Sequence, residues 1–232
     1  MKLLGLIGGV SPEATAIYYR LLNEAARERF GAGHSANLML YTLDYGVMIR
    51  HYENRDWDGF NAEVVKGAKR LAAASVDALV ITSNTTHVAA DAVQLATGLP
   101  LIHMIDVLAD EMRARNVRHP LLTGTPVVMS GEHYSDALAQ RYDGEVFVPD
   151  EDEQGVIGRI ILDELVNGIV KEESRAEYLE IINRWRAKGA DGVILGCTEL
   201  CMILNQSHTD LRVLDTTSLH ASAAARYAFG DV

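Results

Sequence analysis

Two stretches of this chain, 114 positions apart, can be laid on one another. Asp77-Ala-Leu-Val-Ile-Thr-Ser83-Asn84-Thr85 matches Asp191-Gly-Val-Ile-Leu-Gly-Cys197-Thr198-Glu199, each an Asp, a short apolar run and a small polar turn. Ser83 falls opposite Cys197. A second match, at an offset of 115, pairs Gly9 with Gly124 and Tyr19 with Tyr134. An offset so close to half of 232 residues reads as one architecture used twice, which excludes most single-layer folds at once.

The pattern around the repeat says which architecture. Short unbroken apolar runs alternate with longer stretches of 3.6-residue periodicity, as expected of parallel strands covered by helices. Strands are expected at Leu3–Gly8, Asn37–Leu43, Asp77–Thr82, Leu101–His103, Leu121–Thr123, Glu145–Val148, Gly192–Leu195 and Arg212–Leu214. Helices are expected at Pro12–Phe30, Asn61–Ala74, Thr85–Leu95, Val107–Arg115, Gly131–Tyr142, Glu151–Val166, Ser174–Lys188, Thr198–Leu204 and Thr217–Phe229. The first helix carries a full start signal: Ser11 as N-cap, Pro12 at its first position and Glu13 in its first turn. The fold class is therefore α/β, two pseudo-symmetric Rossmann-like lobes with parallel sheets and an active site in the cleft between them.

Composition removes several function classes. Hydrophobic residues are 48% and charged residues 23%, which suits a packed core and excludes disorder. The net charge of −11 would repel a phosphate backbone, so no nucleic-acid partner is expected. No run reaches the ~20 apolar residues of a membrane span, so no membrane partner is expected either. The opening Lys2-LLGLIGGV followed by Ala14-Thr15-Ala16 mimics a signal peptide, but one lysine makes a poor n-region and Glu13 abuts the supposed cut. A buried first strand in a cytoplasmic protein is the better reading. Two cysteines, Cys197 and Cys201, suit a reducing compartment.

Ligands of parallel α/β sheets bind beyond the carboxyl ends of the strands. The turns carrying Ser83 and Cys197 both lie there, each followed by a polar residue and a helix start whose free N–H groups can hold a carboxylate. One proton-handling side chain on each side of a carbon is what stereochemical inversion needs. Cys197, at the start of a helix, reads as a thiol of lowered pKa, suited to the base role. Cys201, one helical turn on, reads as core.

The remaining motifs are weaker. Gly5-Leu-Ile-Gly8-Gly9 lacks the spacing of a dinucleotide fingerprint, so Gly9, Val10 and Ser11 read as a tight substrate-facing turn. Eight histidines show no H-x-H or H-x-x-x-H pair and neither cysteine makes a C-x-x-C, so no metal and no cofactor are expected. His87 and His220 stand beside the candidate turns and read either as supporting residues or as satisfied core histidines. Glu199 reads first as a favourable charge at a helix N-terminus, and second as a partner for Cys197. Asp215-Thr216 reads as a cap and support.

GLIGGVSPEAT, then SNTTH at Ser83–His87, GCTEL at Gly196–Leu200 and LDTTSLHA at Leu214–Ala221 resemble the aspartate/glutamate racemase family, in order and over nearly the whole chain. The resemblance implies a cofactor-independent amino-acid racemase, an isomerase acting by two thiols, and a homodimer. It also implies that Asn84, Thr85 and Thr198 hold the substrate's α-carboxylate and amino group, and that the C-terminal helix Thr217–Phe229 returns to the first lobe, so that the lobes span 1–110 with 216–232, and 111–215. Aspartate or glutamate is the substrate it points to. A broad-specificity or hydantoin racemase, a maleate-isomerase-like enzyme and a non-catalytic carboxylate-binding module are the alternatives. Two departures matter. Ser83 stands where the family's N-T-x-H turn is usually preceded by Cys, and Val166 stands where acidic-substrate members often have Lys, leaving Arg50 as a replacement cation.

Overall fold

Alternation along the first strand decides how its sheet is covered. In β1 (Leu4–Gly8), Leu4 and Leu6 face one way and pack against Tyr18 and Leu22 of α1 (Pro12–Phe30). Ile7 faces the other way, with Phe60, Val64 and Ala68 of α3 (Trp57–Ala73), which follows β2 (Leu38–Thr42) and α2 (Tyr45–Glu53). β3 (Ala78–Ile81) repeats the rule: Ala78 and Val80 join the first cluster, Leu79 and Ile81 the second. Each large side chain buried in this way contributes about 1.5–3 kcal/mol. After α4 (Ala90–Thr97) and β4 (Leu101–Ile102) the chain enters α5 (Met104–Ala114). This is a computed structural model, and it describes residues 1–130 and 132–230.

The first sheet is parallel, in the order β2-β1-β3-β4, with Leu6 opposite Leu40 on one side and Val80 on the other. The second is parallel too, β5 (Pro120–Gly124), β6 (Gly192–Gly196) and β7 (Arg212–Asp215), with Ile194 between Leu122 and Leu214. Phe147 adds a single bridge on the outer side of β5, so the second sheet repeats the strand order of the first. Between these strands lie α6 (Pro126–Ser130), α7 (Glu132–Ala139), α8 (Glu151–Arg159) and α9 (Glu172–Ala187). Ile157 of α8 and Tyr178, Ile181 and Ile182 of α9 bury one face of this sheet. The last element, α10 (Thr216–Phe229), packs Ala221, Ala224, Ala225 and Ala228 into the cluster of Leu4, Leu6 and Val80. The chain divides into two compact units: Met1–Met104 with the residues from Thr217 onward, and Ile105–Thr216. No helix among the described residues is long and apolar enough to cross a membrane.

The helix expected at Pro12–Phe30 is present with those bounds, and Ser11 caps it by accepting the Ala14 N–H. Other expectations are corrected. Tyr45–Glu53 is helical although only Met48 is buried on it; its start is set by Asp44, which accepts the N–H groups of Gly46 and Val47. Glu145–Val148 is not a strand, because Phe147 makes the only bridge there and Pro149 has no N–H to continue a ladder. The single helix expected over Glu151–Val166 is three pieces: α8, a π turn at Ile160–Glu164 and a 3-10 turn at Leu165–Asn167. Glu164 is buried at the joint and binds Ser174, Arg159 and Lys171, which pulls the backbone out of α-helical register. The helix expected over Gly131–Tyr142 is present as α7 and stops at Ala139, and Gly131 lies outside the described residues.

Candidate active site

The turn after β1 is built around a hydroxyl. Thr15, on the first turn of α1, accepts the Gly9 N–H at 2.9 Å, donates to the Ser11 carbonyl and lies 3.2 Å from the hydroxyl of Thr82 at the end of β3. Gly9 is at φ +94°, and a Cβ there would lie 2.2 Å from the Leu43 carbonyl oxygen, so no other residue fits. The structure thus draws the Gly9-Val10-Ser11 turn and the Ser83 turn to the same end of one sheet. Sequence reasoning gave Thr82 no role; the signal was a polar residue closing an otherwise apolar strand.

Ser83 follows Thr82, half-buried, and the helix expected at Thr85–Leu95 opens as a 3-10 turn at Thr85–Ala89 and is α-helical only from Ala90, in α4. Its hydroxyl accepts the Thr86 N–H at 3.4 Å. Asn84 is buried beside it, and Thr85 is partly buried at the start of the turn. His87 reaches back to the Ser83 carbonyl with Nδ1 (2.7 Å), while its Nε2 accepts the Met104 N–H at 3.2 Å. The rings of His103 and His220 lie edge-on to His87, with centroids 5.1 and 5.5 Å away.

His220, on α10, donates Nε2–H to the Ile102 carbonyl at 2.6 Å, so its Nδ1 accepts the Tyr18 hydroxyl at 2.8 Å. Burial, opposed by the Ile102 bond, lowers its pKa from 6.5 to about 4, and burial also drives His87 well below the usual histidine value. Both are neutral in the folded protein at pH 7. A histidine held neutral this way favours the fold fully above its unfolded pKa of 6.5, and that contribution disappears as pH falls towards 4. His220 alone should cost about 3 kcal/mol of stability over that interval. Urea denaturation at a series of pH values should show the decline, and His220→Phe, less stable at neutral pH, should show a flatter one. An unchanged slope in the variant would contradict this account.

In the second unit, β6 delivers Cys197 at its carboxyl end, before a 3-10 turn at Thr198–Met202. The thiol donates to Glu199 Oε2 at 3.0 Å, and the Thr198 hydroxyl donates to the same oxygen at 2.6 Å. Thr216 ties the Leu195 carbonyl, two residues before the cysteine, at 2.8 Å. The expected lowering of the Cys197 pKa is reversed. Burial first, and the Glu199 carboxylate second, push the thiol well above its ordinary value, and the Glu199 backbone N–H at the start of the turn offsets only part of this. Cys201 is corrected as well: at three residues per turn Leu200 faces inward with Cys197 and Cys201 is exposed.

Arg50 lies on the exposed face of α2 and its guanidinium makes no ion pair among the described residues. Val166 is 39% exposed in the 3-10 turn after the π turn, and Leu162, Ile169 and Val170 nearby are exposed too. Among the described residues no group of three or more His, Cys, Asp or Glu is placed to hold a metal ion.

Two parallel α/β units, each with a small polar turn at the carboxyl end of a central strand, define a two-lobed fold shared with Asp/Glu racemases. Over 99% of this chain and 100% of theirs, it is similar to a crystal structure of a candidate Asp/Glu racemase from Yersinia pestis (37% identity, TM-score 0.94) and to one of an aspartate racemase homologue from Pyrococcus horikoshii OT3 (32%, 0.88). It is 19% identical to the broad specificity amino-acid racemase RacX of Bacillus subtilis (strain 168), over 95% of this chain and 96% of that one. The Asp/Glu/hydantoin racemase family matches residues 7–224, and the chain belongs to it. It is an isomerase of the racemase class.

Proposed function

We propose that this protein racemises a free amino acid, aspartate or glutamate, by proton exchange at Cα without pyridoxal phosphate. One observation carries the reading: the Cys197 thiol donates to a buried carboxylate, Glu199, at 3.0 Å. Glu199 takes the thiol proton, the thiolate removes the Cα proton, and Ser83 returns a proton to the opposite face of the carbanion. Solvent then restores the serine hydroxyl and relieves Glu199 of its proton. The Thr198 hydroxyl, bonded to the same carboxylate oxygen, weakens the charge on Glu199 and orients it. The N–H groups at Asn84, Thr85 and Thr198 and the Gly9-Val10-Ser11 turn hold the α-carboxylate and amino group, and Arg50 takes an acidic side chain. An alcohol has little accessible base form, so the two faces are chemically unequal.

A second reading, broad specificity, is favoured by Val166: an exposed apolar residue among Leu162, Ile169 and Val170 suits uncharged side chains as well. The reading also includes a cytoplasmic homodimer, for which the exposed Met39 and Leu40 on the edge strand β2 offer an apolar surface. Incubation with each L- and D-amino acid, followed by chiral chromatography, tests the assignment. Loss of optical purity confined to aspartate or glutamate supports the first reading, and loss across many side chains the second. No loss for any amino acid would refute both and leave a carboxylate-binding module.

A further inference from the structure

Three histidines meet in the first unit from separate segments: His87 after β3, His103 after β4 and His220 on α10. They are not a metal site, because both ring nitrogens of His87 and of His220 are already bonded within the protein. Their bonding is specific in another way. A backbone N–H, from Met104, points at Nε2 of His87, so Nε2 carries no proton and Nδ1 must be the nitrogen that donates to the Ser83 carbonyl. In His220 the arrangement is reversed: the Ile102 carbonyl requires the proton on Nε2. Two rings in edge contact are thus locked in opposite tautomers.

We propose that His87 is a positioning residue for the Ser83 half of the reaction: its Nδ1–H, held in that tautomer by the Met104 N–H, pins the Ser83 carbonyl and so aims the Ser83 hydroxyl. The bond runs from the third residue of the 3-10 turn back to Ser83, two residues before the turn begins, and so encloses Asn84, Thr85 and Thr86. The hydroxyl's own anchor, the Thr86 N–H at 3.4 Å, is long, so its direction rests on the backbone beneath it. His103 and His220 press on the ring edge-on and exclude water, which removes the solvent that would otherwise allow the other tautomer or a second proton. The inference rests on the proposed role of Ser83.

Two substitutions separate the arms of the ring. The amide nitrogen of Asn reaches roughly where Nδ1 lies, and the amide of Gln reaches roughly where Nε2 lies. His87→Asn should keep the Ser83 bond and His87→Gln should lose it. Exchange of the Cα proton in deuterium oxide, started from each enantiomer, reads the two faces separately. His87→Gln should lose about 10–100-fold on the Ser83 face, the usual cost of displacing a reacting group by about an ångström. The Cys197 face should change less than about threefold, and His87→Asn should retain most of the Ser83-face rate. Equal losses in the two variants, or losses on both faces together, would overturn the inference. Ser83→Ala, measured alongside, keeps the outcomes apart. If it spares both faces, the role of Ser83 is wrong. If it silences one face while both His87 variants match the wild type there, the His87 inference alone is wrong. A readout without substitution is the ¹⁵N spectrum of the folded protein at neutral pH: His87 should show the proton on Nδ1 and His220 on Nε2, and an Nε2–H or doubly protonated His87 would overturn the proposal.

Discussion

Cys197→Ala should abolish exchange of the Cα proton with solvent deuterium for the enantiomer presented to the thiol. General acid–base groups contribute about 10²–10⁴-fold, and no other sulfur stands in for this one, since Cys201 is turned outward and donates to the Thr198 carbonyl. Glu199→Gln should give a different signature. The thiol remains, but its buried proton has nowhere to go, so the rate on that face should fall by about 10²-fold and then climb with pH as solvent takes over deprotonation. In the wild type that climb should be weak, because Glu199 accepts the proton internally. Mass spectrometry of the recovered amino acid measures both variants. Full exchange of both enantiomers by Cys197→Ala would remove the thiol from the mechanism.

Ser83→Cys should raise the rate, towards the same 10²–10⁴-fold range, and make the two faces more alike. The wild-type hydroxyl accepts from the Thr86 N–H and donates to no side chain among the described residues, so nothing assists its ionisation. A thiol at that position needs less help, because its free pKa of about 8.5 lies far below that of an alcohol. Any bias between enantiomers in the wild type is kinetic and must vanish at long times, since an enzyme leaves the equilibrium between mirror images untouched. Polarimetry from each enantiomer measures rate and bias together. A slower variant would show that the turn is shaped around the smaller oxygen, leaving Ser83 as a proton donor specific to this chain.

The elements that could be read from the sequence are those whose cause is local. The bounds of α1 follow from Ser11, Pro12 and a regular apolar stripe ending before Gly31, all visible without a fold. The apolar runs of β1, β3 and β6 could be read because strands buried on both faces need no partner information to be recognised. What escaped depended on distant residues. The π turn at Ile160–Glu164 answers to Ser174 and Lys171, and α2 is held largely by its cap. The same holds at the site. Ser83 and Cys197 stand out through the repeat, but the acidity of Cys197 was read with the wrong sign. A helix start lowers a thiol only when the thiol stays near water and no carboxylate turns onto it; Gly196-Cys197-Thr198-Glu199 shows that a carboxylate is near, but not that the thiol is buried nor that Glu199 folds back to it. The partner of His87, a backbone N–H at Met104, is likewise invisible before folding.

The alanine face of α10 has a consequence for the order in which the chain acquires structure during synthesis. Leu4, Leu6 and Val80 emerge from the ribosome early and meet Tyr18 and Leu22 of α1, yet the second helix on their face comes from residues beyond 216. Translation at about 5–20 residues per second leaves the part of that face reserved for α10 open for about 7–27 seconds after Val80 is made. The second unit, by contrast, is one uninterrupted segment from Ile105 to Thr216 and has all its parts before α10 appears. The half made later is therefore the first able to close its core. The half made first must wait with part of an apolar sheet face uncovered until α10 arrives.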